Sequence, residues 1–232
     1  MALLCGADVV IEIPSYFSSA SSEYFARAGL FTLAKTGIVD TLCFGAENDD
    51  INILEEIAGI LINESDNYKL ELKRNLSEGS SFPKARSKAL KTCFPDKCYS
   101  DILNYPNNIL AIEYIKAIKQ FNLPITPYVI KRSGSAYNDP SIDSNMCSAT
   151  AIRNAMSIDP DVKSLDGRIP ESVLSCICNE STAKPLFFKD FFPFIQYRLL
   201  SSDDELSNYY EVTDYISNSI GKFNCIQNDS EQ

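Results

Sequence analysis

Two hydroxyls and one guanidinium share the segment from Cys147 to Arg153, at a spacing that suits an anion. Ser148 or Thr150 can cap a helix beginning at Ala151, which leaves backbone N–H groups and the positive end of the helix dipole pointing outward. Arg153 follows about one turn later and can hold a phosphate with two parallel hydrogen bonds. An ordinary capped helix with a surface arginine explains the pattern equally well, so both interpretations stay open.

Three further segments place ligand-type residues at predicted strand ends or helix starts. Gly45 ends a predicted strand, where a glycine lets the backbone approach a flat ligand, although a turn explains it too. Asn107 or Asn108 begins a helix, either as a cap or as an amide that reads a base or ribose edge. Arg132 and Ser133 leave a strand in a basic, hydroxyl-rich loop that suits phosphates. The four segments together favour a ligand site more strongly than any one does.

The composition excludes one large class of mechanisms. The chain has 232 residues with no histidine and a formal net charge of −10. A Ser-His-Asp triad, a Cys-His pair, a histidine general base and an imidazole-dependent zinc site are therefore excluded within it. Chemistry must come from carboxylates, Lys and Arg, hydroxyls, backbone amides, or a group on another chain.

The eight cysteines do not show the spacing of a metal site, since no C-x-x-C pair occurs. The first ten residues lack the basic start of an export signal. We therefore expect buried free thiols in a reducing cytoplasm. We expect no membrane span either, because no uninterrupted apolar run approaches about 18 residues.

Hydrophobic patterning predicts a chain in which strands and helices alternate. The predicted strands cover residues 7–14, 38–45 and 125–132, and the predicted helices cover 23–37, 51–63, one or two segments within 67–97, and 107–121. This order favours an α/β fold with an open, mostly parallel sheet whose first βα unit is missing, although a fold whose first element is short would start in the same way. The predicted domain covers residues 1–157, and a helical C-terminal region covers 158–232.

Charge is unevenly distributed along this acidic chain. Residues 69–97 carry eight basic and three acidic side chains. A local basic face can hold a nucleic-acid backbone while the acidic remainder opposes non-specific binding. A solvated helix surface explains the same residues equally well.

Six segments together resemble a known family. They are MALLCGADVVIEIP, EYFARAGLFTLAKTG, CFGAEN, YPNNIL, PYVIKR and CSATAIRNAM, and their order and spacing are similar to those of the bacterial tRNA(Met) cytidine acetate ligases. The resemblance covers residues 1–157 well and the remainder loosely. It implies a Rossmann-like domain of the nucleotidyltransferase superfamily. It also implies an enzyme that activates acetate with ATP as acetyl-adenylate and then acetylates the wobble cytidine of elongator tRNA(Met).

The resemblance also implies roles for individual residues. It implies that ATP is contacted by Gly45, Asn107, Arg132 and Ser133. It also implies that the phosphate groups are bound by Ser148, Thr150 and Arg153. ATP would be used with Mg²⁺, with no tightly bound metal and no DNA partner. The candidate tRNA contacts are the basic residues Lys73, Arg74, Lys84, Arg86, Lys88 and Lys91.

Two departures from the family bear on activity. The family's first strand leads into an H-x-G-H loop whose imidazoles stabilise adenylyl transfer, and no segment here corresponds to it. The family also continues beyond the length of this chain, so we expect an incomplete chain with no catalytic residue of its own. Two alternatives remain open: a small-metabolite adenylyltransferase, and a non-catalytic remnant or binding module.

Overall fold

The computed structural model describes residues 1–132, 148–158, 163–178, 186–201, 205–209 and 212–220. The described strands are β1 (Thr41–Ala46) and β2 (Thr126–Lys131). The described helices are α1 (Ser15–Ser18), α2 (Ser22–Thr36), α3 (Ile51–Ile62), α4 (Asp66–Ser77), α5 (Phe82–Cys93), α6 (Tyr99–Ile102), α7 (Pro106–Gln120), α8 (Ala149–Ile158), α9 (Glu171–Cys178), α10 (Phe188–Ser201) and α11 (residues 214–220).

The chain divides into two compact units, Ala2–Thr150 and Ala151–Gln232. The first unit holds both strands and helices α1 to α7. The described residues of the second unit form helices and short turns and contain no strand. The predicted order of a parallel α/β segment followed by helices is confirmed.

The two strands form a parallel pair, as predicted for the second and third strands. Gly45 stands opposite Ile130, and Ala46 stands opposite Lys131. Side chains alternate across a strand, so Phe44 and Val129 pack on the core while Tyr128 stays exposed. Helices α3 to α7 connect the two strands, as a crossover between parallel strands requires.

Helices α3 and α7 carry the main core under the sheet. Leu54 and Ile57 of α3 and Ile112 and Ile115 of α7 have no exposed surface. The spacing of three residues in each pair places both side chains on one face of its helix. Burying such a side chain stabilises the fold by about 1.5–3 kcal/mol each, so this face fixes α7 against β1.

The strand predicted over residues 7–14 is wrong. The segment forms no strand, and Val9, Val10 and Ile11 are 67%, 59% and 41% exposed. β-branched residues favour an extended backbone, yet a strand also needs a neighbour that shares its hydrogen bonds. Among the residues that the structure describes, none pairs with this segment.

The cysteines are free thiols where they are described, as predicted, but the predicted burial is wrong. Four are exposed and two are partly buried: Cys5, Cys43, Cys98 and Cys178, then Cys93 and Cys176. The exposed Cys43 lies on the uncovered face of β1, because strand alternation directs it away from α7. Cys147 and Cys225 lie outside the described residues.

None of the helices in the described ranges is long and apolar enough to cross a lipid bilayer.

Candidate functional site

The carboxyl ends of β1 and β2 bring two predicted ligand residues together. The backbone N–H of Arg132 donates to the carbonyl of Ala46 at 2.8 Å, which extends the ladder one residue beyond β2. A Cβ atom built on Gly45 would lie 3.2 Å from Cγ of Arg132. The aliphatic stem of Arg132 therefore crosses directly over the glycine. Parallel strands end at the same edge of a sheet, and this edge is where open α/β folds bind ligands.

Glu47 joins this edge to the start of α7. Its Oε1 accepts a hydrogen bond from Nδ2 of Asn107 at 2.6 Å, and its Oε2 accepts one from the backbone N–H of Asn108 at 2.9 Å. A carboxylate in this position is favoured by the positive end of the α7 dipole. The predicted ligand residue Asn107 is thereby bonded to the residue that directly follows β1, two positions after Gly45.

The predicted capping of α7 by an asparagine is wrong. Tyr105 is the N-cap residue and makes no side-chain cap, and Pro106 begins the helix. Both asparagines therefore lie inside the first turn, where a side chain from elsewhere must satisfy the free N–H groups. Glu47, which lies 61 residues away in sequence, supplies that acceptor to Asn108.

The side chain of Asn108 is buried and hydrogen-bonded to other parts of the protein. It is 1% exposed, its Oδ1 accepts from the backbone of Asn48 at 2.8 Å, and its Nδ2 donates to the carbonyl of Ile102 at 3.0 Å. Asn107 is only partly buried, and its Oδ1 accepts no hydrogen bond from any described residue. Of the two amides, Asn107 is the one placed to contact a ligand.

Aromatic packing holds α7 in place beside the site. The rings of Phe44 on β1 and Tyr114 on α7 have centroids 5.5 Å apart. Burial raises the pKa of Tyr114, so its hydroxyl stays protonated at neutral pH. The contact fixes the distance between the strand that carries Gly45 and the helix that carries Asn107.

Arg132 is placed to bind an anion at this edge of the sheet. Arg132 is exposed and forms no ion pair with any residue that the structure describes. Its neighbour Lys131 is engaged by Asp49, with Nζ and Oδ1 3.4 Å apart. A guanidinium is a planar donor that can hold phosphate oxygens with two hydrogen bonds. Ser133, the other predicted ATP contact in this loop, lies outside the described residues.

Helix α8 carries the remaining predicted phosphate residues. Ser148 directly precedes the helix, and Thr150 is its second residue. Arg153 is exposed and lies three residues after Thr150, so the two share one face of the helix. The structure thus confirms a helix start at this segment, two residues earlier than the predicted Ala151. The phosphate role of these residues stays a prediction.

The basic candidates lie on α4 and α5, and most of them are exposed. Lys84, Lys88 and Lys91 of α5 are four and three residues apart and form one exposed stripe. Lys73 on α4 is exposed too. Arg74 is exposed, but Glu71 and Glu78 hold it at 3.3 and 3.4 Å.

Arg86 requires a correction, because it does not belong to this basic surface. It is 7% exposed, and its Nη1 lies 2.8 Å from Oε1 of Glu113. The other oxygen of Glu113 accepts from Nζ of Lys116 at 2.8 Å. Arg86 shares the inward face of α5 with Ala89 and Leu90, so its charge is buried in an ion pair and does not face an RNA.

No group of three or more acidic or cysteine side chains that could hold a metal ion occurs in the described ranges.

Glu47 was not predicted from the sequence as a site residue, although it is central here. A usable signal was its position directly after a strand end, where a carboxylate can reach a helix start.

Comparison with known proteins gives a consistent result. The family model described as HIGH Nucleotidyl Transferase matches residues 1–230. A tRNA(Met) cytidine acetate ligase from Clostridium novyi is 38% identical over 222 residues, which cover 95% of this chain and 56% of that protein. One from Caldicellulosiruptor saccharolyticus is 40% identical over 221 residues, covering 94% and 53%. The chain spans slightly more than half the length of these relatives.

Two solved structures are similar as well. The crystal structure of apo Thermotoga maritima TmcAL matches with a TM-score of 0.85 and 30% identity, over 94% of this chain and 53% of that one. A second structure, of Thermotoga maritima TmcAL bound with α-thio ATP, matches with a TM-score of 0.67 and 34% identity, over 75% and 41%. The chain therefore belongs to the HIGH nucleotidyl transferase family, and the relatives it resembles in sequence and fold are tRNA(Met) cytidine acetate ligases.

Proposed function

We propose that this chain supplies the ATP-binding part of a ligase that forms N4-acetylcytidine in tRNA(Met) from acetate and ATP, in the cytoplasm. The observation that carries the proposal is the contact of Arg132 with Gly45 at the carboxyl edge of a parallel sheet, with Asn107 bonded to Glu47 directly after β1. The names of the relatives and the solved complex of one of them with an ATP analogue support it.

Each of these residues has a physical task in holding ATP. Arg132 attracts phosphate oxygens, and the lack of a side chain at Gly45 leaves room for the aliphatic stem of Arg132 to lie across the sheet edge. The free Oδ1 of Asn107 accepts a hydrogen bond from a ribose hydroxyl or a base amine. Ser148, Thr150 and Arg153 on α8 would bind the phosphate side, with Mg²⁺ as the counterion that arrives with ATP.

The proposed reaction has two steps. A carboxylate oxygen of acetate attacks the α-phosphorus of ATP, which forms acetyl-adenylate and releases pyrophosphate. The N4 amine of the cytidine then attacks the acetyl carbonyl, loses a proton and releases AMP. These 232 residues contain no histidine, so this chain binds and orients the reactants and supplies no imidazole to the first step.

The exposed lysines of α5 allow the proposed binding of tRNA to be tested. In a filter-binding assay with tRNA(Met), the double variant Lys84→Ala, Lys91→Ala should weaken binding and reduce the slope of log affinity against log salt by about 2, roughly 1 per lost phosphate contact. The matched control is Lys35→Ala, Lys119→Ala, which removes the same charge from other exposed positions.

The outcomes separate the three candidate functions. Binding of both ATP and tRNA(Met), with a larger loss in the α5 variant than in the control, supports the ligase. Binding of ATP without tRNA at any salt concentration would favour a small-metabolite adenylyltransferase. Binding of neither ligand would identify a non-catalytic remnant.

A further inference from the structure

A cavity of about 410 Å³ opens beside the candidate ATP site. It is lined by Glu47, Asn48, Cys98, Asp101, Ile102, Tyr105 and Asn108. Its volume falls in the range of small-molecule pockets, which are roughly 300–1,000 Å³. None of the described ATP candidates Gly45, Asn107 and Arg132 lines it, although Glu47 belongs to both places.

The polar groups of the cavity divide into two classes. Both oxygens of Glu47 and both the oxygen and the nitrogen of the Asn108 amide make hydrogen bonds within the protein, so these side chains are held in place. The carboxylate of Asp101 accepts no hydrogen bond from any described residue. The Oδ1 of Asn48 accepts from the backbone of Asp50 at 2.9 Å, whereas its Nδ2 donates to none of the described residues.

The apolar groups complete a site for a flat ring. Ile102 is 5% exposed and gives the cavity an apolar surface. Tyr105 is 52% exposed and presents its ring to a ligand entering from solvent. Proteins that recognise single-stranded RNA stack unpaired bases on aromatic side chains of this kind and read the base edge by hydrogen bonds.

The hydrogen-bonding types of the Asp101 and Asn48 side chains, one acceptor and one donor, are those that one edge of cytosine requires. An ionised carboxylate only accepts hydrogen bonds, and the exocyclic N4 amine of cytosine donates them. An amide N–H donates, and the neighbouring ring nitrogen N3 accepts. Uracil has a carbonyl at position 4 and an N–H at position 3, so it would place an acceptor against the carboxylate.

We propose that this cavity receives the cytosine base of the RNA substrate, with Asp101 accepting from N4, Asn48 donating to N3, and Tyr105 stacking on the ring. This inference rests on the proposed function, because it takes the cytidine to be acetylated as the occupant. It places the reacting N4 amine next to Glu47, the residue whose carboxylate also holds the candidate ATP contact Asn107.

The test compares two hairpin RNAs that differ only in whether one loop position carries C or U. We expect the unmodified chain to bind the C hairpin at least about fivefold more tightly, the lower end of discrimination by a good base contact. Asp101→Asn should abolish or reverse this preference, because an amide can donate to the uracil carbonyl. Asp96→Asn, an exposed acid of the same segment outside the cavity lining, should keep it.

ATP binding is measured on the same proteins to separate the two proposals. We expect Asp101→Asn to leave ATP affinity within about twofold. Equal binding of the C and U hairpins, or no binding of either, would overturn the cytosine pocket while ATP binding still supports the proposed function. A loss of ATP affinity in Asp101→Asn would instead identify the cavity as an adenine site. Absence of ATP binding in the unmodified chain would contradict the proposed function itself.

Discussion

Replacing Glu113 with alanine should lower the free energy of unfolding by about 3–5 kcal/mol, the cost of leaving buried charges without their partner. The Glu113 side chain is 3% exposed, and its two oxygens each hold one cation at 2.8 Å. Those cations, Arg86 and Lys116, are only 9% and 12% exposed at the side chain. Without the carboxylate, two positive charges stay where little water reaches them.

Urea unfolding followed by circular dichroism measures this loss. The matched control is Glu55→Ala on α3, which removes the same group from the middle of a helix. Glu55 is 41% exposed and pairs with Lys119 at 3.0 Å on the surface, so its loss should cost about 1 kcal/mol or less. Equal losses in the two variants would show that the Glu113 network does not stabilise the fold beyond a surface pair.

Replacing Arg132 with alanine should weaken ATP binding by about 10- to 150-fold, which corresponds to the roughly 1.5–3 kcal/mol of a hydrogen bond to a charged group. Arg132 is exposed and unpaired among the described residues, and its stem lies over Gly45 at the carboxyl edge of the sheet. The substitution removes the phosphate-binding guanidinium but keeps the backbone hydrogen bond to Ala46. Stability should therefore change little while affinity falls.

Isothermal titration calorimetry measures this affinity, with Arg27→Ala as the control. Arg27 is a partly exposed arginine on α2, paired with Glu23 at 2.6 Å and lying over the Phe121 ring. Phe121 follows the C-terminal end of α7, whereas Asn107 lies at its start. The 15-residue helix separates these ends by about 22 Å, at 1.5 Å per residue. A similar loss in both variants would show that the effect is not specific to the Arg132 site.

The sequence predicted the positions of Gly45 and Arg132 at strand ends, whereas their contacts with ATP stay predictions. Gly45 and Arg132 each follow a recognisable β-branched or aromatic run, and parallel pairing then brings the two ends to one edge. The sequence did not predict Glu47 as a site residue, because its position after a strand does not show that its carboxylate binds a helix residue 61 positions away. An asparagine is a common N-cap residue, but here α7 begins at Pro106 and the carboxylate of Glu47 accepts the hydrogen bond from its first turn.

Arg86 and residues 7–14 were also predicted wrongly, because their structure depends on contacts that are distant in sequence. Charge counting cannot distinguish a surface arginine from one that is paired inside with Glu113, 27 residues away. Apolar periodicity indicates an extended segment, but strand formation depends on a hydrogen-bonding neighbour that no local pattern reveals. Burial of charge and pairing of strands are both properties of the assembled fold.

The location of the ATP site is tested most directly by an NMR titration of the ¹⁵N-labelled chain with ATP and Mg²⁺. We expect the largest amide shift changes at Gly45, Arg132 and Asn107, with little change at Arg27 or Phe121 at the opposite end of α7. Saturating ATP that leaves the first three amides unchanged, while other residues shift or none do, would contradict a nucleotide site at the carboxyl ends of β1 and β2.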